Sequence, residues 1–142
     1  MHLIIYLFSF WASLFQNSIN ENTDNVISVT ITGIKEDKGT VRLGLFKRAE
    51  DFPITGKQYK GFLLDVKNKK AHIHIHNIPS GKYAIGAIHD INKNQRLDKN
   101  IFGYPIEPYG FSNNARGTFS APTFESAMFS HNGKTELTIK VY

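Results

Sequence analysis

The chain has 142 residues, enough for one domain with a continuous core and too few for two. Hydrophobic residues make up 41% and charged residues 20%, a balance too apolar for a disordered chain. The net charge of +5 comes from lysines spread along the whole length, with Lys67, Lys69 and Lys70 as the densest group, so nothing marks a nucleic-acid partner. The absence of cysteine excludes disulfides, thiolate catalysis, thiolate metal sites and a lipid-modified N-terminal cysteine.

Taken in chain order, residues 3–15 form a nearly unbroken apolar run, LIIYLFSFWASLF, followed at once by polar residues. The run is too short for a comfortable membrane span and fits the apolar segment of a secretory signal. Residues 1–20 are therefore expected to be a signal peptide and residues 26–142 the domain. The expected location is the periplasm, the outer surface or the medium, with no transmembrane span in the mature chain.

From residue 26 the apolar period is two. Strands are expected at 26–34, 39–47, 61–67, 71–78, 82–89 and 136–142, bounded by turns at 36–39, 67–70, 79–81 and 131–133. No stretch carries a convincing helical period. About seven short strands at this spacing predict a single all-β, antiparallel sandwich of immunoglobulin-like or transthyretin-like type. One long loop, residues 90–122, interrupts the rhythm. It holds Pro105, Pro108 and Pro122, and its aromatics Phe102, Tyr104, Tyr109, Phe111 and Phe119 are expected to fold down as a small core over one end of the sandwich.

The run HDINKNQRLDKNIFGYPIEPYGFSNNARGTF at 89–119, preceded by NIPSGKYAIGAIHD, closely resembles the bacterial family DUF2141. That pattern is a strand ending in His-Asp, an Asn-rich acidic loop, Gly-x-Pro-x-Glu and Gly-Phe-Ser-Asn-Asn-Ala. The resemblance covers residues 26–142. It implies an exported bacterial protein with an immunoglobulin-like β fold, and it implies no activity.

The loop carries the chemistry. Asp90, Asn92, Asn94 and Asp98 stand at positions 1, 3, 5 and 9 of a DxNxNxxxD spacing, with the carbonyl of Arg96 at position 7. Alternate oxygen donors of this kind converge on a hard cation such as calcium. Two positions depart from a calcium loop: Gln95 stands where a sharp turn prefers glycine, and Ile101 where a bidentate Glu would close the shell. The plainer alternative is an Asx-rich turn whose side chains cap their own backbone. Further along, Asn113, Asn114 and Arg116 offer polar groups for a sugar or carboxylate beside Tyr109 and Phe111. The plainer alternative there has the asparagines shaping a turn and Arg116 paired with Glu107.

The rival site is a strand. His72, His74 and His76 alternate with Ile73 and Ile75 and so share one face. A His-x-His pair can hold zinc and zinc can activate water, which would make an enzyme. Against this, three collinear positions converge poorly, and a solvated polar face explains the same pattern. His89 and Asp90 are adjacent and point to opposite faces of a strand, which argues against a dyad. The expectation is thus a non-enzymatic binding or structural module meeting an envelope component, a glycan or a peptide, with calcium as its one candidate cofactor. A zinc enzyme on the histidine strand is the alternative.

Overall fold

The computed structural model of the protein describes residues 25–142; the expected signal segment lies outside them. No helix among the described residues is long and apolar enough to cross a membrane.

All six expected strands form: β1 Val26–Thr32, β2 Thr40–Phe46, β3 Lys60–Asp65, β4 Ala71–His76, β5 Gly81–Asp90 and, at the end of the chain, β8 Lys134–Lys140. Two three-residue strands, β6 Tyr109–Phe111 and β7 Phe129–His131, and a one-turn helix, α1 Phe124–Ala127, complete the described elements together with a 3-10 turn at Ser112–Asn114. Three-residue strands are too short to show a period, so only their pairing to β5 reveals them. The expected turns form as well. In the tight turn that joins β3 to β4, bridged by Lys67 and Lys70, Asn68 and Lys69 take φ 52° and 57°, the left-handed conformation that a two-residue turn demands at both positions.

The strands make two sheets. The smaller runs β4-β1-β8; the larger runs β3-β2-β5-β6, and β7 pairs with β5 beyond β6. The inward residues follow from the period of two. Ile27, Val29 and Ile31 of β1 join Ile75 of β4 and Ile139 of β8 in one buried cluster with Val41, Leu43 and Leu45 of β2 and Tyr83, Ile85 and Ala87 of β5. This is the core of a sandwich. One ladder corrects the antiparallel expectation: β1 and β8 pair in parallel, Val29 opposite Leu137 and Ile31 opposite Ile139. Parallel neighbours need a long connection, and these two strands are the first and last of the domain.

A second correction concerns the long loop. Of its aromatics only Phe111 is buried. The small outer core is built instead from Phe46, Phe52 and Phe111, with Ala84, Ala127 and the partly buried Phe124. Phe52 meets Phe46 edge-on at 5.3 Å and Phe111 at 5.5 Å. Pairs of this geometry add about 0.5–1.5 kcal/mol each beyond their buried area. This cluster covers one end of the outward face of the larger sheet and leaves the other end open.

Candidate functional site

The open end is floored by two rows of side chains that the ladders set in register. In the first row Gly61 lies opposite Gly44, Gly44 opposite Gly86, and Gly86 opposite Phe111. In the second, Leu63 lies opposite Arg42, Arg42 opposite Ile88, and Ile88 opposite Tyr109. Three adjacent strands thus present glycine at one level, and the space they leave is bordered by the Phe46 and Phe111 rings and the Gln58 side chain.

Above this floor the segments 95–105 and 117–121 form walls, enclosing a groove of about 1020 Å³. Phe102, Tyr104 and Phe119 stand on its rim at 78%, 66% and 96% exposure, and Leu63 on its floor is 62% exposed. Among the described residues Arg42 and Lys99 are the only charged ones lining it; no Asp, Glu or His does.

The first wall is rigid because polar groups tie it down. Asp90 ends β5 fully buried, and its two oxygens accept N–H bonds from Asn94 (3.1 Å) and Gln95 (2.7 Å). The oxygens of Asn92 and Asn94 accept from the backbone N–H groups of Asn94 (3.1 Å) and Arg96 (2.8 Å). Their amide nitrogens both donate to Asp98, at 2.6 and 2.8 Å. Buried Glu107 accepts from the N–H groups of Ile91 (3.0 Å) and Asp98 (3.2 Å). At the tip, Asn100 Oδ1 accepts from the N–H groups of Phe102 and Tyr104, both at 3.0 Å, and so aims these two rings. Gln95 sits at φ 62°, the left-handed turn for which its position favours glycine.

The spaced residues Asp90, Asn92, Asn94 and Asp98 therefore do converge. Their oxygens are engaged by backbone and amide N–H groups, the arrangement of an Asx-rich turn. Among the described residues no group of three or more His, Cys, Asp or Glu side chains is placed to hold a metal ion.

The rest of the expected loop site divides. Tyr109 and Phe111 line the groove. Glu107, Asn113 and Asn114 hydrogen-bond to backbone groups of neighbouring segments. Asn113 donates to the carbonyls of Ser126 (3.2 Å) and Met128 (2.8 Å), while Asn114 accepts from Lys140 N–H at 2.9 Å. Arg116 does not pair with Glu107. Its guanidinium stacks 3.5 Å from the centroid of the Tyr142 ring, beside a separate cavity of about 150 Å³.

On the smaller sheet His72, His74 and His76 share the outward face, all exposed. His72 and His74 approach through their Nε2 atoms at 3.0 Å, and their Nδ1 atoms meet Thr30 and Ser28 hydroxyls at 3.0 and 2.9 Å. The ring of His76 lies 6.4 Å from that of His74, and neither cavity is lined by these residues. His89 and Asp90 point to opposite faces. His89 Nε2 donates to the Lys38 carbonyl at 2.6 Å within the sandwich, while Asp90 anchors the wall outside it.

Reasoning from the sequence passed over Arg42, Gly44, Gly61, Leu63, Gly86 and Lys99. A signal was present: glycine or an apolar residue recurs at outward positions of β2, β3 and β5, where a solvated sheet face carries polar residues.

The sequence matches, over residues 29–140, the family described as an uncharacterized protein conserved in bacteria (DUF2141). The chain belongs to this family. The match takes in β2 through β8, and with them the groove floor, both walls and the Asx-rich turn of this DUF2141 chain. No curated protein and no solved structure matches it.

Proposed function

We propose that this DUF2141 protein is an exported, non-catalytic binding module whose ligand lies in the groove on the outward face of the larger sheet. One observation carries the reading: exposed aromatic side chains, held on a hydrogen-bonded wall, overlook a floor lowered by three registered glycines. Large exposed apolar patches on a folded domain mark binding sites, and concave ones lined by aromatics with a few polar groups suit small or extended ligands. A glycan or a peptide of the cell envelope is the partner class.

Support for a non-catalytic role comes from the lining. General acid–base work is most often done by a carboxylate or imidazole, and the described residues line this groove with neither. The zinc-enzyme alternative has its histidines on an open face away from both cavities. Calcium at Asp90, Asn92, Asn94, Asp98 and the Arg96 carbonyl enters this reading only as a stabiliser of the wall, because it must displace both Asn amides from Asp98. The immunoglobulin-like strand order implied by the family resemblance is part of the same proposal. It is supported by two sheets packed face to face with the first and last strands side by side.

The test begins with protein recovered from the envelope fraction of its bacterial host, its first residue sequenced. That protein is run through gels cast with single envelope polysaccharides and over a panel of envelope peptides. The expected result is a mature N-terminus beyond the apolar run and retention on at least one matrix, lost in Tyr104→Ala/Phe119→Ala. Intact Met1 in cytosolic protein removes the export half. Retention on no matrix, or equal retention of the double variant, removes the groove.

A further inference from the structure

We infer that the ligand of this groove is an acidic glycan, and that Arg42 is the residue that reads its carboxylate. The inference rests on the groove being the binding site and names the chemical class of what binds there.

The argument starts from Arg42. It projects from the outward face of β2 between Leu63 and Ile88, two aliphatic neighbours. The ion pairs among the described residues belong to Arg48 and Lys134, and Arg42 makes none. Its Nη1 is shielded from solvent and has no hydrogen-bond acceptor among the described residues. A guanidinium held against apolar surface without a counter-ion is costly. Where Arg42 lines the groove, a ligand carboxylate supplies the counter-ion the guanidinium lacks, and the planar fork of arginine matches its two oxygens. Lys99 adds a second positive charge to the lining, and no carboxylate is among the described lining residues, so the field in the groove favours an anion.

The same geometry selects a sugar over a peptide. The floor is the face of a sheet, and its backbone groups are spent in the ladders among β3, β2, β5 and β6. A peptide lying on it finds few main-chain partners for its own amides, unlike one added at a sheet edge. A saccharide has no such amides. Its hydroxyls meet side-chain partners in Thr55, Gln58, Gln95, Thr118 and Ser120, all lining the groove. Its rings can lie flat over the glycine row, and the electron-rich faces of Phe102, Tyr104 and Phe119 attract the weakly positive C–H groups of a pyranose. A single-stranded nucleic acid would place a phosphate at every residue and calls for a longer basic track than Arg42 and Lys99 provide.

The experiment is titration calorimetry of the mature protein with oligogalacturonate and alginate oligomers. The controls are methyl-esterified oligogalacturonate, oligoglutamate and oligo(dT). Variants are Arg42→Gln and Arg42→Lys, each with a thermal melt, and Tyr104→Ala/Phe119→Ala. A uronate oligomer is expected to bind. Esterification and Arg42→Gln should each weaken it about ten- to hundred-fold, the usual effect of losing a charged hydrogen-bonded pair. Arg42→Lys should recover only part, and it is the deciding variant if Arg42→Gln melts early. Equal binding of the ester, or of both Arg42 variants, overturns the inference. If the aromatic double variant still loses affinity in that case, the groove itself stands. Binding of oligoglutamate or oligo(dT) in preference to the uronates overturns the glycan assignment, and binding of none of the probes overturns the inference entirely.

Discussion

The two outward faces of this sandwich are built by the same alternation and end up opposite in character. On the smaller sheet the outward positions include His72, His74 and His76 beside Ser28 and Thr30, then Glu136 and Thr138, with Val26 opposite His76 the apolar exception. On the larger sheet they include Gly44, Gly61 and Gly86, then Leu63, Ile88 and Tyr109 around one arginine, with the polar Asp65, Thr40 and Asp90 at one end. Water satisfies the first face without help. The second exposes apolar side chains, and the fold answers by covering part of it with the phenylalanine cluster and raising two walls over the rest. The contrast shows where to look for a ligand: at the face whose exposure is costly, although the histidine face carries the more conspicuous chemistry.

The largest effect should come from the wall. Glu107→Ala removes the acceptor for two N–H groups beneath the loop, Ile91 and Asp98, and should cost about 3–6 kcal/mol in denaturant titration, given about 1.5–3 for each hydrogen bond to a charged group. A loss under about 1 kcal/mol would mean the wall is not anchored there. Melting wild type in chelator and in millimolar calcium tests the accessory ion. A calcium-dependent rise that Asp98→Asn abolishes places the ion in the loop, and identical midpoints leave the N–H groups alone holding it.

The glycine row gives a sharper test, because the same substitution should change sign between neighbours. A Cβ on Gly44 meets Phe46 Cε2 at 2.9 Å, and that ring is pinned against Phe52, so Gly44→Ala should cost about 1 kcal/mol. A Cβ on Gly86 meets Phe111 Cε1 at 3.4 Å, an ordinary contact, so Gly86→Ala should gain about 0.5 kcal/mol from the stiffer strand. Gly86→Val should nonetheless weaken ligand retention by raising the floor. Undiminished retention in that variant would show that the ligand does not reach the glycines.

The smallest effect belongs to the other face. Replacing His72, His74 and His76 together with Thr keeps hydroxyl groups beside Ser28 and Thr30 and should leave stability within about 0.5 kcal/mol of wild type, with ligand retention unaltered. A loss of several kcal/mol, or of a bound metal, would restore a functional role to the histidine strand.

What the sequence determined by itself is local. The period of two in β1, β2 and β5 placed Ile27, Val41 and Ile85 inside, because alternate residues of a strand must face opposite sides. The spacing of Asp90, Asn92, Asn94 and Asp98 announced a loop that closes on itself, because short Asx side chains reach only nearby N–H groups. The family motif likewise lies along one continuous stretch. Only the tertiary structure decided the parallel pairing of β1 with β8, the short strands β6 and β7, and the burial of Phe52 in place of Phe102 and Tyr104. The groove is of the same kind. Gly61, Gly44 and Gly86 are far apart in the chain, and so are Arg42, Leu63 and Ile88. They become a floor only when three strands pair in one register, and register is set by how whole faces pack against the core rather than by any residue's own preference.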